Sequence, residues 1–368
     1  VVFQFAITTC LIIAVFTISS QIKYLKSVDM GYNRQHVLVV PSRVEKDQDL
    51  LKERLKSIPS ILAMGRINAF PGPHFLRTEI VPEDGNRDNS FTASHFNIDP
   101  DCFKTLDISV VKGRNFSAQF PTDRSDAVII NEKLAQKHGW DNPIGKRLDM
   151  VVDEGAIRSK TVVGVIKNFH YLTARQVIEP MIFFMNPNRS VFLLIRINPG
   201  SIAETVNQVE SEFKKLFPKR QFRSYFLDER FNEQFSEDKD FARNIGIFTG
   251  LAILVACLGL IGLVAYAIEQ RRREIVVRKV FGCSGFKIAS ILASSFLKAV
   301  ILANVIAWPL GYLAINKWLN EFVFRVPFTL WPFIVALGCS IFIAVLTVSY
   351  QTLRAAKSNP VDVLREIG

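Results

Sequence analysis

The sequence predicts an α-helical membrane protein: four transmembrane helices carrying one large α/β domain outside the bilayer. Two observations carry this. Of 368 residues, 49% are hydrophobic and only 21% charged, and 30 Phe stand against 7 Tyr and 4 Trp, a bias towards fully apolar surface. The apolar residues gather into long runs, and a polar stretch of 220 residues, Gln21 to Asp240, separates the first run from the others. About 20 apolar residues cross a bilayer, so the runs read as spans and the polar stretch as a water-facing domain.

The first span is assigned to residues 1–20. It is uncharged, lacks the basic n-region of a signal peptide and opens on Val1 without Met, so a segment is expected to be missing before it. The second span, 241–268, contains an uncharged run with Gly246, Gly250, Gly259 and Gly262. The Gly246-x-x-x-Gly250 spacing would admit a close helix neighbour, or it reflects only the tolerance of membrane helices for Gly; both readings stay open. The third run, Phe286 to Ile315, is interrupted by Lys287 and Lys298. A Lys inside a bilayer marks a functional site by default. The preferred reading puts an amphipathic interfacial helix over 286–298 and a crossing at 299–316, kinked at Pro309. An outer loop, 317–328, and a fourth span, 329–350, complete the series.

Basic residues give the orientation. Glu269 to Lys298 holds seven Lys+Arg and the tail from Gln351 three, against two (Lys317, Arg325) in the loop between the last spans. The excess places the 269–298 loop and the 351–368 tail in the cytoplasm, and the domain at 21–240 on the other side. The net charge of +11 therefore reports topology rather than nucleic-acid binding: Gln21 to Asp240 has 32 Lys+Arg against 29 Asp+Glu.

Within the domain, strand patterns appear at His36–Val40, Ala127–Ile130, Thr161–Ile166 and Val191–Ile197. A helix over 201–216 aligns Ile202, Val206, Val209, Phe213 and Leu216 on one face, with Ser201 as its cap. Phe222–Leu227 follows as a strand, giving a ferredoxin-like strand-helix-strand unit. The Pro/Gly/Asp-rich stretch Phe70–Asn89 reads as an excursion or subdomain boundary. From about 228, Phe231, Phe235, Phe241, Ile245 and Phe248 recur at helical spacing, predicting a helical stalk that runs into the second span.

No catalytic, cofactor or metal constellation emerges. The five His are scattered without paired-ligand spacing, and Cys102 alone in the domain cannot form an internal disulfide. Gly139 to Arg147 imitates a phosphate loop, but five residues separate its glycines and Arg147 stands where a Ser/Thr hydroxyl belongs. Asp153 with Glu154, and Glu237 with Asp238, read as solvated turn or stalk residues. The informative segment is Gln270 to Gly285, a short basic helix stopped by Gly282, which serves as a positive-inside anchor or as a docking surface for a cytosolic partner.

That segment, RRREIVVRKVFGCSG, resembles the cytoplasmic signature of the FtsX-like permease family. Trp308-Pro-Leu-Gly-Tyr312, Lys317-Trp-Leu319, Phe322-Val-Phe-Arg325 and Asn359-Pro-Val-Asp-Val-Leu-Arg365 resemble its third span, outer loop and C-terminal motif. The domain is similar to the MacB-type periplasmic core through Val111 to Ser117, Ile129 to Glu132, Asn142 to Lys146 and Val163 to His170. Val276 and Cys283 depart from the family's Gly and Ala. The resemblance implies a non-catalytic ABC transporter permease in a bacterial inner membrane, with its core domain periplasmic. It also implies a separate cytosolic ATP-binding subunit and a second permease unit, either in a homodimer or in the other half of a tandem chain. Periplasmic or outer-membrane partners are compatible with it, and no cofactor is implied. Motion would pass from the ATPase through the membrane to the periplasmic domain, a mechanism called mechanotransmission, in export or extraction. By position in the motif, Arg272, Arg273, Glu274, Arg278, Lys279, Phe281 and Gly282 form the ATPase-coupling element, and Asn359, Pro360, Leu364 and Arg365 a secondary cytoplasmic contact. The alternatives are a membrane-bound receptor, which would have little use for three further spans, and a regulator of cell-wall hydrolases, whose outer domain is typically smaller.

Overall fold

A computed structural model describes residues 1–41, 45–69, 76–81, 88, 90–151, 157–171, 177–271, 274, 281 and 285–356. Two compact units make up the chain: Val1–Ser27 with Phe235–Gly368, and Val28–Gln234.

The second unit is an α/β domain built on an antiparallel sheet that a long insertion divides in sequence. Strand β1 (Val37–Pro41), helix α2 (Glu45–Leu55) and β2 (Ile61–Ile67) form its first half. The second half is β10 (Phe192–Ile197), α5 (Ile202–Leu216) and β11 (Tyr225–Phe226). The order β11-β1-β10-β2 interleaves the two halves, the ferredoxin-like arrangement. Alternate strand residues, Leu38, Val40, Leu193, Ile195 and Ile197, face one side. There they pack with Leu51 and Leu55 of α2 and with Val209 and Phe213 of α5. The predicted stripe on α5 is thus the face that meets the sheet. Its cap differs: the Ser201 side chain makes no capping bond, and Asn198 instead accepts from the Gly200 amide in the preceding 3-10 turn.

The insertion supplies β3 (Leu76–Val81), β4 (Phe91–Ile98), α3 (Cys102–Leu106), β5 (Val110–Gly113), β6 (Ala127–Asn131), α4 (Glu132–Lys137), β7 (Arg147–Val151), β8 (Ile157–Ile166) and β9 (Met181–Met185). Strands β4-β3-β7-β8-β6-β9 pair in that order, and β9 pairs back with β4, so six strands close on themselves. Closure removes sheet edges. Ile80, Val128, Ile130, Leu148, Met150, Val162 and Ile182 contribute to a core there. The stretch expected to be an excursion at Phe70–Asn89 therefore contains a core strand, β3, with Ile80 and Val81 fully buried. Its alternation is too short and too interrupted by loop residues to stand out. The strand expected at Phe222–Leu227 shrinks to Tyr225–Phe226, because Leu227 already begins helix α6 (Leu227–Glu233).

Ring and sheet are joined where β2 pairs with β4, Ile67 opposite Ile98, and aromatic and ionic contacts flank that junction. Phe96 of β4 stacks on Phe183 of β9 at 5.0 Å between ring centroids, and Phe103 of α3 meets Phe183 edge-on at 5.2 Å; α3 itself lies against β2 and β10. Beside them Asp99, 1% exposed, accepts from Lys52 Nζ at 2.7 Å and from the Arg66 backbone amide at 2.9 Å. Lys52 also pairs with Asp101, and Arg66 with Asp49. One buried carboxylate thereby ties α2, β2 and the end of β4 together. Burial, with Asp99 nearby, pushes the Cys102 thiol well above its usual pKa, so it is an inert core residue.

The first unit contains α1 (Val2–Ser27), α7 (Ser236–Gln270), α8 (Gly285–Leu319) and α9 (Trp331–Ala356). All four are long and apolar enough to cross a membrane, in agreement with the predicted fold class. Two details differ from expectation. The interfacial helix at 286–298 and the crossing after it are one continuous helix, since no Gly or Pro occurs between Phe286 and Trp308; the helix continues through Pro309. The single stalk from about 228 is instead two helices, α6 and α7, with a break at Gln234–Phe235. Leu227 and Phe231 are buried in the outer domain, with the Arg34 guanidinium 4.1 Å above the Phe231 ring. Helix α7 starts afresh with Glu237 and Asp238 in its first turn, where carboxylates favour the positive helix end.

Replacing Asp99 with Ala leaves the Lys52 ammonium half-paired and the Arg66 amide without an acceptor. The expected cost is about 3 kcal/mol, read as a lowered thermal unfolding midpoint of the full-length protein. An unchanged midpoint would show that the β2–β4 pairing and the aromatic contacts hold the seam without it.

Candidate functional site

The membrane unit is a bundle in which small residues let the helices approach. Ala256, Leu260 and Val264 of α7, Val300, Ala303 and Ala307 of α8, and Ala344 and Val348 of α9 share one apolar core with Phe5 and Ala6 of α1, the helix that packs against all three. Gly259 lies against the Gln4 side chain, where an added Cβ would come within 2.6 Å of Oε1. Gly246 and Gly250, by contrast, face open space, so no helix among the described residues uses that pair.

Polar side chains inside the bundle bond to one another or to nearby carbonyls. Thr9 of α1, Asn304 of α8 and Ser340 of α9 are each at most 4% exposed. The Thr9 hydroxyl is 3.1 Å from Ser340 Oγ and 3.4 Å from Asn304 Oδ1. Asn304 Nδ2 donates to the Val300 carbonyl at 2.8 Å, and the Ser340 hydroxyl has the Ala336 carbonyl at 2.8 Å. Two hydroxyl protons serve three contacts: when Ser340 donates to the Ala336 carbonyl, Thr9 donates either to Ser340 or to Asn304 Oδ1, and when Ser340 donates to Thr9, Thr9 donates to Asn304 Oδ1.

At the other end of α1, Gln21 is completely buried. Its Nε2 donates to the Phe324 carbonyl at 2.7 Å, and its Oε1 accepts from the Val326 amide at 2.8 Å. The carboxamide thus acts as a strand-like partner for the loop between α8 and α9. Beneath that loop lies a cavity of about 470 Å³, bounded by α1, α8, the loop and the start of α9.

The cytoplasmic set is only partly placed. Glu274 is helical and exposed, and Phe281 lies in a turn, 86% exposed. Arg272, Arg273, Arg278, Lys279 and Gly282, and with them Asn359, Pro360, Leu364 and Arg365, lie outside the described residues. Lys298 is exposed on α8.

In the outer domain the motif residues are scaffold. Gly113 has a positive φ of 72°, and a Cβ there would meet the Val163 carbonyl at 2.3 Å; one on Gly164 would meet the Arg114 carbonyl at 2.2 Å. Only glycine lets β5 and β8 approach so closely. Arg114 forms a bidentate pair with Asp123, both bonds 2.7 Å. Burial raises the Asp123 pKa, but Arg114 and the Ser117 amide outweigh it and hold the carboxyl below its usual value. Asn131 caps α4 through the Leu134 amide and also accepts from Met181. The imitation phosphate loop is a turn whose Gly145 amide already donates to the Val162 carbonyl, leaving it unavailable to an anion. Among the described residues no group of His, Cys, Asp and Glu could hold a metal.

Two family profiles divide this architecture between them. Residues 5–214 match the MacB-like periplasmic core domain, and residues 246–360 match the FtsX-like permease C-terminal region. The chain belongs to the MacB/FtsX permease family. An uncharacterized ABC transporter permease of Methanocaldococcus jannaschii is 26% identical over 207 residues, which are 50% of this chain and 47% of that protein. The chain thus spans about half the length of that relative. The periplasmic region of MacB from Actinobacillus actinomycetemcomitans covers 55% of this chain and 94% of its own length at 13% identity and a TM-score of 0.39. The extracellular domain of the noncanonic ABC-type transporter YknZ from Gram-positive bacteria covers 51% and 98% at 13% identity and a TM-score of 0.37. As a MacB/FtsX-type permease the chain is a membrane protein with a periplasmic-type domain, and the core-domain profile takes in α1 as well as the domain that follows it.

Thr9, Gln21, Asn304 and Ser340 were not singled out from the sequence. For Thr9, Asn304 and Ser340 the signal was present, since polar side chains within runs read as apolar are expensive unless paired; Gln21 fell in the stretch read as water-facing, although α1 extends through it to Ser27. Replacing Gln21 with Leu strips two backbone groups of the α8–α9 loop of their partners, at a cost of about 2 kcal/mol. Amide exchange at Val326 should accelerate correspondingly, and unchanged exchange would mean that other contacts hold the loop.

Proposed function

We propose that this MacB/FtsX-type permease is the non-catalytic membrane subunit of an ATP-driven export or extraction system in a bacterial inner membrane. A cytosolic ATP-binding subunit docks on the basic loop after α7, and two permease units work together. Motion passes through the helices to the periplasmic domain. The observation that carries this reading is the conjunction, in one chain, of the core-domain and permease profiles with four membrane-crossing helices.

Helix lengths support it. Helix α7 has 35 residues, about 52 Å at 1.5 Å per residue, against a hydrocarbon core of about 30 Å. Its excess carries charge: Glu237, Asp238, Lys239, Asp240 and Arg243 occupy the N-terminal turns. Helix α8 is equally long and begins near the basic loop. Each is therefore a rod that extends beyond the bilayer, suited to carrying displacement.

In the coupling element, Arg278 and Lys279 offer cationic contacts to the ATPase and Phe281 an exposed apolar knob, with Gly282 next to it in the motif. Glu274, with Arg272 and Arg273, adds the charge pattern that fixes register, and Asn359 to Arg365 make a second, weaker contact. Co-purification of the full-length protein in mild detergent is expected to bring an ATPase with it. Arg278→Glu combined with Lys279→Glu should lower the stimulated ATPase rate at least about tenfold. An unchanged rate would remove these residues from the contact, and a stable complex without ATPase would favour the receptor reading.

A further inference from the structure

We propose that the cavity under the α8–α9 loop is a binding site for an anionic phospholipid, with an acyl chain in the cavity and the headgroup phosphate on Arg325. The proposal does not depend on the identity of any ATPase or exported substrate.

The cavity, about 470 Å³, is of ligand size. Its wall is mainly apolar, with Ile315, Leu319, Phe328 and Phe333 among the lining residues. The wall is also preorganised. Tyr312 meets Phe328 edge-on at 5.2 Å between centroids, and Phe328 packs against Phe333 at 5.9 Å. The Gln21 clasp holds the loop on either side of Arg325, at Phe324 and Val326. The loop therefore cannot collapse into the space without losing two bonds to a buried carboxamide.

Two observations choose the occupant. The first is charge. Arg325 lines the cavity and donates to Asn320 Oδ1 at 2.5 Å. No acidic side chain among the described residues forms an ion pair with it. A guanidinium fork on the rim suits a phosphate, which it can grip with two parallel bonds. The second is the surrounding surface. Leu313 on α8, Phe328 and Leu330 in the loop and Trp331 at the start of α9 are all more than half exposed, and the two helices that the loop joins are apolar enough to cross a membrane. This apolar surface would repel a water-borne anion, but it lets an acyl chain pass from the bilayer into the cavity while its headgroup stays at the interface. Trp331, at the start of α9 and lining the cavity, is a residue type that favours that depth.

The test is native mass spectrometry of the full-length protein, delipidated in detergent and titrated with phosphatidylglycerol or phosphatidylcholine. The protein is expected to retain one phosphatidylglycerol with at least about tenfold preference over phosphatidylcholine. Arg325→Gln should abolish the preference. Ile315→Phe, which fills the cavity and keeps Arg325, should weaken retention of the lipid as a whole. Lys317→Gln, a cation in the last turn of α8 outside the cavity lining, should change neither, and circular dichroism with thermal melts confirms that the variants are folded. Equal retention of both lipids would overturn the proposal. So would a loss of preference in Lys317→Gln equal to that in Arg325→Gln, which would indicate diffuse surface charge. Full retention by a folded Ile315→Phe would place any bound lipid elsewhere and overturn it as well.

Discussion

A carbonyl or amide surrounded by hydrocarbon must find its partner within the protein, because each unsatisfied polar group there is costly. The rest of this structure depends on that constraint. It makes every crossing segment a helix, and it accounts for the company kept by the polar side chains that remain. Thr9, Asn304 and Ser340 satisfy one another across three helices. Ser340, Asn304, Thr8, Thr249, Thr347 and Thr352 each turn a donor towards a carbonyl one turn earlier in their own helix. Gln21 resolves the same problem at the edge, where a loop leaves the helical regime and its backbone needs outside partners.

The outer domain obeys the same rule by different means. Water is available to it, so its backbone can pair in sheets, and its difficulty becomes the exposed sheet edge. Closing six strands into a ring removes that edge for the insertion, while the interleaved order β11-β1-β10-β2 buries the central strands of the other sheet. The glycines of the family motifs follow from this closure. Gly113 and Gly164 sit where two strands approach too closely for any side chain. The motifs that identify the family in this domain thus record packing constraints.

What could be read from the sequence follows from how local each signal is. The four spans and the α5 stripe are legible because a run of uncharged residues or a 3.6-residue period is a local property. Strands β6, β8 and β10 are legible as apolar runs. Strand β3 is not: its six residues include Arg77 and Glu79, and its place is set by pairing with β4 and with β7, far along the chain. The cavity and the Gln21 clasp are less visible still, since Gln21 meets loop residues 303 and 305 positions away. The coupling element is the reverse case: it is prominent as a motif, and only Glu274 and Phe281 of it are among the described residues.

The break at Gln234–Phe235 bears on how such a permease would work. On the proposed function, displacement generated below the membrane must leave the bundle along α1 and α7, and the backbone enters the outer domain after Ser27 and leaves it before Phe235. An uninterrupted helix through the second connection would transmit bending and twist as well as axial movement. On that proposal a break of one or two residues would pass tension along the backbone while its dihedrals took up part of the rotation. Helix α6 is anchored by Leu227 and Phe231, which are buried in the domain core, and β11, the strand immediately before it, pairs with β1, so on the proposed function tension would reach the sheet by that route. The rods then need only be stiff along their own length, and a 35-residue helix braced by α1 and α9 meets that requirement.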